Sequence, residues 1–251
     1  MKLSVIIPFL SELNLIRRTV ESVVVNSYLF TEVEIILIND GIIDESKIRG
    51  YLSSELNKLI IISPNRYKKG PGGARNTGLE ISSGDFIAFL DADDFWLPGK
   101  LEAQILEIKK GASFVTTSYR FNGGKTVIFP PEKIRTPNDI FLKRGIGTST
   151  VLITKQLLEN NRFNEIRFGQ DIDFWFNLSK SKNFNYVRVP EVYVEYNTGG
   201  STKNKWVQLF YVNKVLSMNK IDISTRIKFN ISYIISGIYN HYIKNLFFKK
   251  N

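Results

Sequence analysis

Cysteine is absent from the 251 residues, and histidine occurs once, as His241. Without thiols there is no disulfide framework, no thiolate zinc or iron–sulfur site and no cysteine nucleophile. A lone imidazole excludes multi-histidine metal sites and leaves little room for a histidine-centred hydrolase. Long apolar runs are missing too. No stretch reaches the roughly 18–20 residues that span a bilayer; the best candidate, 229–248, is interrupted by Asn230, Asn240, His241, Lys244 and Asn245. Met1-Lys2 leads straight into an apolar run that stops at Pro8, so no leader peptide is expected. The expected location is cytoplasmic, with peripheral contact to the inner face of the cytoplasmic membrane left open.

Hydrophobic residues make up 43% and charged residues 23% of the chain, an ordinary globular composition that argues against disorder. The net charge of +10 is unevenly placed. Lys203–Asn251 holds nine basic residues and one acidic, whereas the first 202 residues carry 25 basic against 23 acidic. A nearly neutral body with a basic tail does not suit nucleic-acid binding, where basic residues spread over the folded reading surface. An anionic membrane is the better partner for such a tail.

Leu3–Ile7 reads as a buried strand, and 12–27 carries Leu13, Ile16, Val20, Val23 and Val24 at helical spacing. Strands are expected at 34–38, 59–62 and 86–90, with helices over 47–58 and 74–81. Beyond residue 112 the pattern loosens. Strands are expected at 114–119, 126–129 and 150–153, a helix at 171–180, a strand pair at 185–189 and 192–196, and two or three helices over 206–250. Alternation of apolar strands with helices implies a parallel sheet covered on both faces, in which ligands bind beyond the carboxyl ends of the strands.

The chemistry-bearing residues fall at those ends. Asp91 and Asp93, one residue apart after a buried strand, can approach one cation from the same side, and oxygen ligands suit Mg²⁺ or Mn²⁺. An acidic turn ahead of a helix is the plainer alternative. Asp40, beside Gly41, can accept from a base or ribose, or can close an Asx-turn. Gly70–Gly78 supplies a tight backbone, a helix start and Arg75, with Lys68 and Lys69 just before, a combination that attracts phosphate. No Gly-Lys-Ser/Thr follows and no G-x-G-x-x-G trails the first strand, so neither a Walker loop nor a dinucleotide site is indicated. Asp171, among Gln170, Phe174 and Trp175, suits a general base beside sugar-facing rings, or a helix start with its aromatics in the core.

In order, Pro8, Glu34–Gly41, Gly73-Ala74-Arg75-Asn76-x-Gly78, Gly84–Asp94 and Gln170-Asp171-x-Asp173-Phe174-Trp175 resemble glycosyltransferase family 2 over roughly residues 1–200. The resemblance implies the α/β GT-A fold: a mainly parallel central sheet flanked by helices, a Rossmann-like nucleotide half, an acceptor half and here a helical C-terminal tail. It implies Asp91 and Asp93 as ligands of Mn²⁺ or Mg²⁺, with Ala92 between them. A nucleotide-sugar site, for a UDP-sugar, is implied along Pro8, Phe9, Leu10, Glu12, Asp40, Gly73, Arg75, Asn76, Asp91, Ala92 and Asp93. Asp171 is implied as the base, and Gln170 and Trp175 are expected to contact the acceptor. The chain departs from the family at Leu10-Ser11, in place of an aromatic-Asn pair, and at Asn39, Gln170 and Asn177.

The implied reaction is inverting, metal-dependent transfer to a hydroxyl of a glycan or lipid-linked saccharide in bacterial polysaccharide or O-antigen synthesis. A sugar nucleotidyltransferase would want a Gly-rich signature after the first strand, where Pro8-Phe9-Leu10-Ser11 stands. A non-catalytic sugar or nucleotide binder would crowd four carboxylates without use for them. The expected division is a catalytic domain at 1–202, with a nucleotide-sugar half at 1–111 and an acceptor half at 112–202, followed by a basic amphipathic extension at 203–251. Sugar and acceptor choice is expected to depend on 120–148, 167–175 and the tail. In that tail Ile227, Ile231, Ile234, Ile235, Ile238 and Tyr242 recur at helical spacing among Arg226, Lys228, Lys244, Lys249 and Lys250, fitting either an anionic membrane through 221–251 or packing on the domain.

Overall fold

The computed structural model describes residues 1–143, 145–197 and 205–238. β1 (Lys2–Phe9) leads into α1 (Leu13–Asn26) and β2 (Glu32–Asn39). The single helix expected over 47–58 is two short ones, α2 (Glu45–Gly50) and α3 (Ser54–Asn57); Ser53 ends the first path and caps the second, its Oγ accepting from the Leu56 N–H at 3.3 Å. β3 (Ile60–Pro64), α4 (Pro71–Ile81) and β4 (Phe86–Phe89) complete a parallel half-sheet in the order β3-β2-β1-β4.

Side chains of these strands alternate between two apolar layers. Leu3, Val5, Ile7, Ile35, Leu37 and Ala88 face one, against Leu13, Ile16, Val20 and Val23 of α1. Ile6, Ile36, Ile38, Ile87 and Phe89 face the other, against Ala74 and Leu79 of α4. Covering both faces is why the strands read as continuous apolar runs. Each fully buried Ile or Leu contributes about 1.5–3 kcal/mol relative to exposure.

β1 runs through Pro8 and does not stop there. The Ile6 carbonyl accepts from the Leu90 N–H on the β4 side, and the Phe9 carbonyl accepts from the Asp40 N–H on the β2 side. Alternation therefore turns the Pro8 nitrogen toward β4, whose pairing with β1 ends at Ile6. The missing N–H removes no ladder bond.

The second half contains β5 (Phe95–Trp96), α5 (Lys100–Lys109), β6 (Phe114–Phe121), β7 (Val127–Ile128), α6 (Asp139–Leu142), β8 (Leu152–Thr154), α7 (Lys155–Leu158), α8 (Gln170–Leu178) and β9 (Tyr186–Tyr196). The sheet continues as β4-β8-β6-β9-β5, with β7 on β6. β8 is antiparallel to β4 and β6, whereas β9 runs parallel to β6. The strand pair expected at 185–196 is one strand: Thr117 pairs with Val189 and Ser118 with Val192, so Pro190 and Glu191 bulge out of the ladder. A proline that lacks the ladder donor is tolerated at such a bulge.

α9 (Lys205–Met218) and α10 (Ile223–Ile238) place Val212, Val215, Leu216 and Phe229 in the same buried layer as Phe89 and Trp175. Asn219 Nδ2 donates to Asp173 Oδ1 at 2.5 Å, tying α9 to α8. Ile227 and Ile231 of the expected stripe are exposed, together with Ile223. His241, Tyr242, Lys244, Lys249 and Lys250 lie outside the described residues. Among the described residues no helix is long and apolar enough to cross a membrane.

Candidate functional site

The carboxyl ends of β1, β2 and β4, the start of α4 and the start of α8 border one cavity of about 990 Å³. Pro8, Phe9, Leu10 and Glu12 line it from β1 and the turn after it. Glu12 Oε2 accepts from the Leu10 and Ser11 N–H groups at 2.7 and 2.8 Å, so this carboxylate closes the turn. Asp40 lines the cavity from β2, its two oxygens accepting from Asn65 Nδ2 at 2.6 Å and the Gly70 N–H at 2.9 Å. Asp40 thereby ties the strand end to the Gly-rich loop. The neighbouring Asn39 forms an Asx-turn, with Oδ1 accepting from the Gly41 N–H at 3.0 Å.

The loop needs its glycines for room. Gly70, with φ +135°, precedes α4, and Pro71 opens the helix where its missing N–H costs nothing. A Cβ on Gly73 would press into the Lys68 carbonyl oxygen and stand 3.1 Å from Tyr67 Cβ. The first-turn N–H groups of α4 thus border the cavity beside Lys68 and Lys69, a setting that favours anions.

One turn on, Arg75 is buried, and its Nη2 donates to Asp91 Oδ1 at 2.5 Å. Nε and Nη1 of Arg75 are buried with no hydrogen-bond partner. Asp91, Ala92 and Asp93 line the cavity, whereas Asp94 turns inward. Asp94 accepts from Ser149 Oγ at 2.6 Å and from the Asn197 N–H at 2.9 Å, and Ser149 Oγ also accepts from the Asp91 N–H at 3.1 Å. Burial, then the charge of Asp91, raises the Asp93 carboxyl above its ordinary range. The same two causes raise Asp94.

Across the cavity, α8 presents Gln170 and Asp171. Gln170 is buried and its Oε1 has no hydrogen-bond partner. Burial pushes the Asp171 carboxyl up, while the Arg75 charge pulls it partly back. A carboxylate raised in this way is a stronger proton acceptor once ionised.

Asn76 and Trp175, both expected at the site, do not line the cavity. Asn76 faces the loop before α8, its amide exchanging hydrogen bonds with the Phe163 backbone at 2.8 and 2.9 Å. Trp175 is 1% exposed and packs edge-on against Phe89 and Phe114. It lies four residues after Asp171 on α8, within the buried layer that holds Phe89, Phe114 and Phe174, so it belongs to the core. Sequence reasoning did not single out Thr148, Glu165 and Ile166, which also line the cavity. Nor did it single out Ser149, the hydroxyl behind the acidic turn; the polar run Thr148-Ser149-Thr150 ahead of an apolar strand was its one available signal.

Among the described residues no cluster of three or more carboxylate, histidine or cysteine groups is placed to hold a metal. Asp91 and Asp93 form a smaller set. It fits a Mg²⁺- or Mn²⁺-type ion that is held by one or two carboxylates and completed by substrate phosphates and water.

Residues 4–175 match the family model of Glycosyl transferase family 2. Over 244 residues the chain is 30% identical to a UDP-Glc:α-D-GlcNAc-diphosphoundecaprenol β-1,3-glucosyltransferase of Escherichia coli, covering 95% of this chain and 94% of that one. It is 29% identical over 220 residues to a GalNAc(5)-diNAcBac-PP-undecaprenol β-1,3-glucosyltransferase of Campylobacter jejuni, covering 82% and 70%. The fold matches S. aureus TarS residues 1–349 in complex with UDP-GlcNAc at a TM-score of 0.67 and 17% identity, over 100% of this chain and 76% of that one. It also matches a Pyrobaculum calidifontis mannosyltransferase in complex with GDP-Man and Mn²⁺ at a TM-score of 0.65 and 14% identity, over 96% and 70%.

Proposed function

Because the chain belongs to glycosyltransferase family 2 and is a glycosyltransferase, we propose that it moves a sugar from a UDP-sugar to a hydroxyl of a lipid-linked saccharide in bacterial surface-polysaccharide synthesis. The observation that carries this reading is the meeting of the β4-end carboxylates, the Gly-rich helix start and Asp171 around one cavity. The sugar-diphospholipid acceptors named for the E. coli and C. jejuni relatives, and the UDP-GlcNAc held by TarS, support the substrate classes.

In this reading the uridine lies against Pro8, Phe9 and Leu10, with Asp40 at the base. The diphosphate faces the first-turn N–H groups of α4 at Gly73, with Arg75 beside it. A divalent ion at Asp91 and Asp93 would supply positive charge to the departing diphosphate. Asp171 takes the acceptor hydroxyl proton as that oxygen bonds to the anomeric carbon and the carbon–phosphate-oxygen bond breaks, which inverts the centre. Gln170 orients the acceptor hydroxyl, a role that its buried acceptor oxygen, unpartnered among the described residues, supports.

We assign residues 1–202 to catalysis and 203–251 to an extension whose described part shares the core. The exposed Ile223, Ile227 and Ile231, one helical turn apart, support a contact between this extension and an anionic membrane. The test of the donor site is a thermal-shift screen of UDP, GDP, CDP and dTDP, each with Mn²⁺ or EDTA. A Mn²⁺-dependent shift with UDP, lost in Asp93→Ala, is expected. A flat response to every nucleotide would refute the reading.

A further inference from the structure

Resting on that reading, we propose that Arg75 couples metal to donor. In the metal-free protein its guanidinium stands in for the divalent ion at Asp91, and it engages the donor diphosphate only when the ion takes its place.

Arg75 Nη2 holds Asp91 Oδ1 at 2.5 Å from a side chain that is only 4% exposed, whereas the Asp91 side chain is 34% exposed. Among the described residues it is the one cation within ion-pair distance of Asp91, and none lies within that distance of Asp93. Asp91, Asp93 and Glu12 share the cavity, so an unbound site needs a resident positive charge to relieve the repulsion. Arg75 supplies it, and only in part. Nε and Nη1 are buried without an acceptor, and the guanidinium carbon Cζ lies 5.5 Å from the centre of the Phe163 ring. A guanidinium carries five N–H donors in a planar fork, and this one spends a single nitrogen on a carboxylate.

An ion that draws Asp91 away would remove the one acceptor Arg75 has among the described residues. A buried guanidinium left without a partner is strongly unfavourable, so the ion alone loads poorly. A diphosphate arriving with the ion offers oxygens that the fork can take bidentately. The two ligands therefore favour each other through Arg75 as well as through their direct contact, and the coupling is reciprocal. Arg75 already lines the cavity in which the phosphates would lie.

The experiment is calorimetric titration of UDP in EDTA, so that no metal contributes. Asp91→Asn releases Arg75, and UDP should bind it about tenfold more tightly than wild type. Asp93→Asn removes the same charge from the same cavity but leaves Arg75 paired, and a gain of less than about threefold is expected. Adding Arg75→Gln to Asp91→Asn should cancel the gain; if that double variant does not fold, Arg75→Lys, which keeps a charge without the fork, takes its place. Separately, Mn²⁺ alone, followed by electron paramagnetic resonance, should bind Arg75→Gln more tightly than wild type, whereas a purely structural role would weaken it. Equal gains in the two Asn variants, or no gain in Asp91→Asn, would overturn the coupling while leaving the donor site intact. Absence of UDP binding to wild type even with Mn²⁺ would overturn both.

Discussion

Replacing Gly73 by alanine separates two effects that usually travel together. In an unobstructed helix, alanine is favoured over glycine by about 1 kcal/mol. At Gly73 the added methyl meets the Lys68 carbonyl oxygen well inside van der Waals contact, and Tyr67 Cβ at 3.1 Å. The obstructing atom is backbone, held by the loop that Asp40 pins at Gly70, so it does not swing aside as a side-chain end would. Overpacking of this kind costs about 1–3 kcal/mol. Net of the helix gain, Gly73→Ala should lose up to about 2 kcal/mol. For a chain of this size that is a fall in Tm of up to about 8 °C. Gly50, at the end of α2 with nothing within 4 Å of a built Cβ, is the control. Gly50→Ala should gain about 0.4–1 kcal/mol by restricting the unfolded chain. Differential scanning calorimetry of the two variants gives the sign directly, and UDP titration should show weakened binding for Gly73→Ala alone. If Gly73→Ala melts as high as Gly50→Ala and binds UDP like wild type, the close-packed phosphate cradle is wrong.

Other consequences concern Asp171, the core and the tail. Because burial raises the Asp171 carboxyl, kcat/KM should decline as pH falls through a value above the ordinary aspartate range of about 4; an acid limb at or below that range would contradict the assignment. The same raised carboxyl favours its protonated form in the folded state, a contribution present at low pH and lost as pH rises through the raised value. Asp171→Asn should accordingly melt higher than wild type at pH 8, with the difference vanishing near pH 4. Trp175→Ala should cost about 3–5 kcal/mol of stability by leaving a cavity, whereas the milder Trp175→Phe should leave the acceptor KM unchanged; a selective rise in acceptor KM would return Trp175 to the site. Flotation with anionic vesicles should fall in the Ile227→Asn/Ile231→Asn double variant and with added salt. Equal flotation of variant and wild type would remove the membrane contact.

What the sequence made legible follows from where information is local. The parallel half was readable because each strand is apolar on both faces and each chemical residue sits at a strand end, so Asp40, Asp91 and Asp93 could be placed from order alone. Asp91, Ala92 and Asp93 all reach the cavity from the turn after β4, while Asp94, just beyond that turn, faces the core. Pairings between distant segments were not readable. Lys100 has the look of a surface residue at a helix start, yet it is fully buried, its Nζ donating to Gln104 Oε1 at 2.8 Å and lying 4.0 Å above the Trp96 ring. Trp175 was misread because an aromatic beside an acid looks the same whether its ring faces a sugar or Phe89. Asn76 was misread because its amide serves a backbone 87 residues away. The single strand at β9 was hidden by Pro190, which ends a strand unless a partner accepts a bulge, and that partner, β6, lies far off in sequence.

The most direct test of the central claim is turnover of a UDP-sugar with a sugar-diphosphate-alkyl acceptor, wild type against Asp171→Asn, with UDP affinity measured alongside. The account predicts a product of inverted anomeric configuration from wild type. In Asp171→Asn it predicts a loss of about 10²–10⁴ in turnover, with UDP binding unchanged within a few-fold. Near-wild-type turnover in Asp171→Asn, or a product that retains the donor configuration, would contradict it.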